Sequence, residues 1–414
     1  MNPFYEKACR AESVYMDWQT MYPKPYCKEE VDPYTKVRII LMNGTEFEAT
    51  WFSHQFHRHC SDNSLRRQLS ILRRAEQQQQ KRLACLKPAN ESILEHTIGY
   101  EQLAVDLTAI LAQREPDPYV VKTMNLALLE DFDHLYRYAD LMNFERGVHA
   151  ERLVGCYTEI MPGRPTISEH RHPNDSVRYY CDFKKAAPIT KLNTAIITAA
   201  EQQTMNFYMN QCGFYESELG RRLYQEIAMI EEQHVTEYGS LLDPTCTWLE
   251  NLLLHEYTEC YLYYSCMQDE TDCYVRKIWE EHFDIELAHL HRAAELLKKY
   301  EGKEWQQVIP DGEFPELLRF TPQKEYVRKV LAETVFNTAD RENPQKPVCD
   351  LPKDADFFQY QSIVNHDVNQ VASHRVIVRE IQAKGHDYRF EERANPIQEL
   401  QCRTCDNTTV GRCC

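Results

Sequence analysis

Apolar residues recur at intervals of three and four along six long stretches of this chain, which is the period of an amphipathic helix. The stretches predict helices over about residues 90–114, 118–146, 189–211, 215–241, 245–269 and 272–300. Turn-forming residues near 115–118, 212–214 and 269–272 separate the two members of each pair. The pattern therefore predicts three consecutive helical hairpins.

The connections between these hairpins differ in length and composition. Residues 147–188 are polar and rich in proline, and they are numerous enough to run the length of a helical bundle as a crossover. Only Leu242, Asp243 and Pro244 link the second hairpin to the third. The short link requires the two helices that it joins to be antiparallel neighbours.

Other patterns flank the three hairpins. Residues 1–35 are rich in aromatic residues and proline, and we expect an irregular arm there. Asn43-Gly44 lies between two strand-like runs and predicts a β-hairpin. A further helix is predicted over about 63–87, and shorter ones near 324–340 and 356–383. The expected organisation is an N-terminal arm and β-hairpin over 1–62, a helical body over 63–302 and a helical extension with a cysteine-containing tail over 303–414.

A regular spacing of charged residues accompanies the helical pattern. Three times, a glutamate is followed 30 residues later by an acidic residue and three residues after that by a histidine. The sets are Glu101 with Asp131 and His134, Glu201 with Glu231 and His234, and Glu256 with Glu286 and His289. Residues three apart share one face of a helix, and a hairpin with arms of about 15 residues brings its ends back to the same height. Each set therefore predicts half of a carboxylate–histidine metal site.

Chance is the alternative explanation for a single match of this kind. Glu169 and His172, in a proline-rich stretch, are interpreted as such a coincidence. The three sets differ from it because their members fall within apolar helical stripes that are expected to face a core. Unpaired carboxylates are costly in a core, and a divalent ion would supply the positive charge that they need.

Four inward carboxylates and two histidines from four helices can bind two metal ions. Over about residues 90–300, this pattern resembles the ferritin-like di-iron carboxylate superfamily. The resemblance implies a mainly α fold, with a ferritin-like four-helix bundle made of the first two hairpins and extended here by the third. It implies two metal ions, iron or alternatively manganese, bound by Glu101, Asp131, His134, Glu201, Glu231 and His234.

Two features depart from the pattern of that family. Asp131 stands where the family has glutamate, and its shorter side chain leaves open that Glu130 acts with His134 instead. The other feature is the third set, which has no place in a single bundle. It could pair with the second hairpin, form half of a second site completed by a symmetry-related subunit, or be a vestige of duplication. We favour the first and second hairpins as the site, because the long crossover lets them run in opposite senses.

Composition narrows the classes of function. The 414 residues include 47 basic and 64 acidic side chains, for a formal net charge of −17, which argues against nucleic-acid binding. Neither a secretory leader nor an apolar run of membrane-spanning length is found, so we expect a cytoplasmic protein without membrane insertion. The 16 scattered cysteines are expected to be reduced thiols.

Two groups of softer ligands are further candidates. One comprises His54, His57, His59 and Cys60, directly after the predicted strands, and the other is the pair Cys402 and Cys405 in the tail. Either group could bind a soft metal or take part in redox chemistry. A polar loop and flexible terminal thiols are the alternative interpretations.

The resemblance implies an oxidoreductase that uses two metal ions to react with dioxygen or peroxide. An electron-donor protein and further copies of the chain are the expected partners. Two alternatives stay open: a structural or assembly protein that keeps the scaffold with a degenerate or non-catalytic metal site, and a protein for iron oxidation and storage.

Overall fold

The computed structural model of the protein describes residues 1–161, 163 and 169–385. Across these residues the chain is mainly helical, with one two-stranded antiparallel sheet. The helices are α1 (Trp18–Met21), α2 (Pro33–His59), α3 (Asn63–Ala84), α4 (Ile93–Arg114), α5 (Pro118–Arg146), α6 (Pro188–Phe214), α7 (Glu218–Leu241), α8 (Trp248–Asp269), α9 (Cys273–Glu301), α10 (Lys324–Thr334), α11 (Asp356–Val364) and α12 (Ala372–Lys384). The strands are β1 (Asn337–Asp340) and β2 (Asn343–Pro347). None of the described helices combines the length and apolar character needed to cross a membrane.

Helices α3 to α9 confirm the seven long helices predicted between residues 63 and 300. Local signals explain their boundaries. Ser92 and Glu95 form a capping box at the start of α4, and Thr247 and Glu250 do the same for α8. Gly147 ends α5 in the left-handed conformation, with a φ of 63°, which glycine adopts without steric cost.

The predicted β-hairpin around Asn43-Gly44 is wrong, because this stretch lies inside the single helix α2. Asp32 caps that helix at its N-terminus. Asn43 and Gly44 instead form a contact with α6: Asn43 Nδ2 donates to Gln203 Oε1, and a Cβ atom on Gly44 would lie 2.6 Å from Gln203 Nε2. The small residue thus allows a close helix contact, and this packing outweighs the local turn preference.

The C-terminal extension contains the expected helices, but they are shorter than predicted. The pattern over 324–340 forms α10, which ends at Thr334, and the residues after it enter β1. The pattern over 356–383 is divided into α11 and α12. Strands β1 and β2 pair in antiparallel fashion, and Arg341, with a φ of 52°, turns the chain between them.

The described chain is divided into two compact units. The first contains Met1–Glu91, Cys181–Gln203 and Leu242–Phe320, and the second contains Ser92–Tyr180, Thr204–Leu241 and the described residues from Thr321 onward. In the first unit, α2 packs on α3, α8 packs on α9, and the two pairs meet through α2 with α8 and α3 with α9. In the second unit, α5 packs on α4 and α7, and α12 contacts both α5 and α7. Each unit therefore combines stretches that are far apart in sequence.

A buried ion pair fixes α2 against the turn between α8 and α9 in the first unit. Arg38 is 2% exposed, and its Nε donates to Glu270 Oε2 at 2.9 Å while its Nη1 donates to Asp269 Oδ2 at 2.8 Å. The indole of Trp279 also donates to Glu270 Oε2, at 3.1 Å. These contacts compensate the burial of the charges and hold the N-terminal half of α2 in place.

Replacement of Arg38 by methionine should lower the free energy of unfolding by about 3–5 kcal/mol, because it leaves the Glu270 carboxylate buried without its partner. Urea denaturation followed by circular dichroism measures the change. Arg222→Met removes an exposed partner of Glu218 on α7 and should have little effect. A loss for Arg38→Met as small as that of Arg222→Met would contradict the stabilising role of the buried pair.

Candidate metal centres

The second unit brings together five of the predicted ligands, and four of them form one close group. Glu101 on α4, Asp131 and His134 on α5 and Glu231 on α7 are all buried, and one ligand atom from each lies within 4.8 Å of the others. His134 Nδ1 is 3.0 Å from Glu231 Oε1. His234 Nδ1 is 3.2 Å from Glu231 Oε2 and 3.2 Å from Asp131 Oδ1. Glu231 therefore lies between two imidazoles, each of which points its Nδ1 atom toward the carboxylates.

The second ring nitrogen of each imidazole, Nε2, also faces a carboxylate and is called the outer nitrogen below. His134 Nε2 is 3.4 Å from Glu169 Oε2, and His234 Nε2 is 2.8 Å from Glu130 Oε2. Arg171 in turn forms ion pairs with Glu130 and Glu237. An outer carboxylate of this kind fixes the tautomer and orientation of a metal-binding histidine, and leaves its other nitrogen for the metal.

The buried acidic groups of this cluster have too few positively charged partners to keep all of them ionised. Burial raises the pKa of Glu101 well above its usual range, and burial likewise raises the pKa of Asp131. Burial acts in the same direction on Glu231, but the contacts with His134 and His234 lower its pKa. Burial disfavours the charged form of His134, yet its contacts with Glu169 and Glu231 raise its pKa well above the usual value. A divalent cation would relieve this repulsion and displace the protons.

One oxygen of Glu101 is held by the protein and the other faces the cluster without a donor. Tyr208 donates its hydroxyl to Glu101 Oε1 at 2.6 Å. The rings of Tyr138 and Tyr224 pack on Tyr208, with centroids 5.3 Å and 5.6 Å away. Glu101 Oε2 is buried and accepts no hydrogen bond from any described residue. This oxygen is available to an ion.

Two predicted residues require separate description. Glu130 does not replace Asp131 in the cluster, because its carboxylate contacts the outer nitrogen of His234 and Arg171. Glu201 is buried, with 1% of its surface exposed, on the part of α6 that belongs to the first unit. Its participation in the cluster stays a prediction.

The third repeat, on α8 and α9, lies beside a further acidic residue of the same chain. Glu256 on α8, Glu286 and His289 on α9, and Glu76 on α3 each provide one atom within 4.8 Å of the others. His289 Nδ1 is 2.8 Å from Glu76 Oε1 and 3.3 Å from Glu286 Oε2. The set is therefore completed within the first unit, by a helix that the sequence analysis did not connect with metal binding.

A neighbouring set in the first unit consists of Glu46, Glu76 and Glu259, whose ligand atoms also lie within 4.8 Å of one another. The sequence contained a signal for the first two. Glu46, Glu76 and Gln79 repeat the intervals of 30 and three residues, with glutamine in place of histidine. The β-hairpin prediction and the requirement for histidine concealed this fourth repeat.

Glu169 and Arg171 are further residues beside the cluster that the spacing does not indicate, since they lie in the connection between α5 and α6. Both side chains are fully or almost fully buried in the second unit, at 0% and 1% exposure. Glu169 pairs with His134, so the acidic member of the coincidental match contacts a histidine other than His172. Local spacing gives no indication of such a contact.

The softer-ligand candidates do not form a metal cluster among the described residues. His54, His57 and His59 lie in the last turns of α2, and Cys60 caps its end. The Nε2 atom of His57 accepts a hydrogen bond from Arg66 Nε at 3.2 Å. Cys402 and Cys405 lie outside the described residues.

Comparisons of the chain with models of known families, with curated proteins and with solved structures found no match.

Metal binding should release protons and become stronger as pH rises. Glu101 and Asp131 have raised pKa values, as does His134, so the metal-free cluster retains protons that an ion must displace. Titration calorimetry with Mn²⁺ in two buffers of different ionisation enthalpy measures the number released. Equal heats in both buffers, or an affinity that does not change between mildly acidic and neutral pH, would contradict the expectation.

Proposed function

We propose that the second-unit cluster, formed by Glu101, Asp131, His134, Glu231 and His234, binds two metal ions. The chain would then be a di-metal oxidoreductase that reacts with dioxygen or peroxide. One observation carries the proposal: two buried imidazoles share Glu231 through their Nδ1 atoms, and the Nε2 atom of each lies within 3.4 Å of a further carboxylate. Ordinary core histidines have no need of such an arrangement, whereas metal ligands do. The spacing of these residues on helical hairpins also favours a ferritin-like bundle as the scaffold.

The residues fit a pair of ions with mixed oxygen and nitrogen preference. Glu231 would be shared by the two ions, His134 and His234 would bind one ion each, and Glu101 and Asp131 would add carboxylate oxygens. Glu201 is the sixth ligand predicted by the spacing. Iron suits this set, and manganese is the alternative. When bound, a redox-active metal pair supplies the electron transfer to dioxygen or peroxide that these side chains cannot perform themselves.

The surrounding side chains position the ligands and exclude water. Arg171 forms an ion pair with Glu130, whose other oxygen can accept a hydrogen bond from Nε2 of His234. Tyr208 holds Glu101 in one orientation. Because the ligand side chains are almost completely buried, water has little access to the reacting oxygen species. Electrons must then come from a donor, for which a partner protein remains our prediction.

His134→Ala combined with His234→Ala should remove about two ions per chain and abolish the oxygen-dependent part of the reaction. The protein is loaded with Fe²⁺ without air, its metal content is measured, and its absorbance is followed after oxygen is admitted. His149→Ala removes an exposed histidine of the same unit and should change neither result. Unchanged metal content and oxidation in the double variant would exclude this site. Wild-type protein that binds no metal would favour the structural alternative.

Glu169→Gln should weaken metal binding by about 10- to 100-fold, because it replaces the carboxyl group that faces Nε2 of His134 with an amide. The affinity is measured by competition with a chelator of known strength. Glu151→Gln changes an exposed carboxylate of the same unit by the same single charge and serves as the control. An affinity for Glu169→Gln equal to that of the control would contradict the positioning role.

A further inference from the structure

The two clusters follow the same construction rule. In the first unit, Glu46 and Glu256 each precede an acidic residue by 30 positions, as Glu101 does in the second unit. Tyr263 lies seven residues after Glu256, and Tyr208 lies seven residues after Glu201. Tyr263 donates its hydroxyl to Glu46, just as Tyr208 donates to Glu101. The first unit therefore repeats the framework of a metal centre and does not merely contain scattered acids.

The first unit differs at the position where the repeat places a histidine. Gln79 stands there, and its Nε2 donates to Glu46 Oε1 at 2.9 Å and to Glu286 Oε1 at 2.6 Å. An amide that donates in this way orients two carboxylates but provides no imidazole ligand. The half of the first-unit cluster that contains Gln79 therefore has no nitrogen atom that could bind a metal ion.

An additional carboxylate occupies the same half. Glu259 lies three residues after Glu256, where the second hairpin has Thr204 after Glu201. It is fully buried, and neither of its carboxylate oxygens accepts a hydrogen bond from a described residue. The nitrogen of its ion-pair partner, His255 Nε2, is 3.9 Å from Glu259 Oε1. A buried carboxylate with so little compensation points to a cation as its partner.

We infer that the first unit holds a second dinuclear metal centre, with unequal positions that share Glu76. One position, formed by Glu256, Glu286 and His289 with Glu76, contains a single imidazole. The other, formed by Glu46 and Glu259 with Glu76, has oxygen ligands alone. Oxygen-only positions select hard divalent cations, so Mn²⁺ is favoured there over ions that prefer nitrogen.

The centre is tested in a background that carries His134→Ala and His234→Ala, so that it can be judged apart from the proposed oxidase site. Mn²⁺ is titrated into the metal-free protein, and binding is followed by electron paramagnetic resonance. The protein with these two substitutions should bind about two Mn²⁺ ions per chain. Its resonance signal should show magnetic coupling between them, because the two positions share a carboxylate.

Glu259→Gln, added to that background, should weaken the oxygen-only position at least about tenfold and convert the coupled signal to that of a single ion. Glu280→Gln changes an exposed carboxylate on α9 and should leave the coupled signal unchanged. Gln79→His introduces the imidazole that the other repeats have, and it should raise the affinity for Co²⁺. The visible absorption of bound Co²⁺ reports the coordination geometry of the ion.

Thermal unfolding of each variant by circular dichroism establishes that it is folded before metal is added. A folded background protein that binds no Mn²⁺, or one isolated ion only, would overturn the inference. So would a Glu259→Gln variant that binds two coupled ions as tightly as the background does.

Discussion

Carboxylates buried among helices without enough positive charge are the constraint on which the rest of this structure depends. Each charge removed from water costs several kcal/mol unless a partner compensates it. In the second unit, two imidazoles compensate Glu231, whereas Glu101 and Asp131 keep pKa values raised by burial. A helical core that was selected only for stability would place apolar side chains at these positions. The retained acids therefore require a functional explanation, and a bound cation is the simplest one.

Charged side chains that are not themselves candidate ligands surround the second-unit cluster and contact its histidines. Glu169 and Arg171 reach it from the segment between α5 and α6, and both are buried. Glu169 lies 3.4 Å from Nε2 of His134, while Arg171 contacts Glu130, which in turn contacts Nε2 of His234. A connection between two hairpins thus supplies the groups that orient both histidines. Such outer contacts decide how firmly the ligands are held and how basic they are.

The two units show how one spacing can accommodate different ligand chemistry. The interval of 30 residues keeps the ligand positions at the same height in each hairpin, and it is retained in all four hairpins. The identity of the side chains at those positions is less constrained. Gln79 replaces a histidine, and Glu259 adds a carboxylate nearby, so the first unit has more oxygen ligands and less nitrogen. The spacing of such a cluster can therefore stay constant while the cation that its atoms would favour changes.

The sequence by itself determined the long helices and the common height of Glu101, Asp131 and His134 within one hairpin, because helical period and spacing act locally. It did not determine which hairpin meets which. Only packing decided that the third hairpin meets α2 and α3, since every hairpin presents a similar apolar stripe. Packing also made Asn43-Gly44 part of a helix, because the close contact with Gln203 needs a small residue. Contacts between residues distant in sequence, such as Glu169 with His134, leave no periodic trace and exist only once the chain has folded.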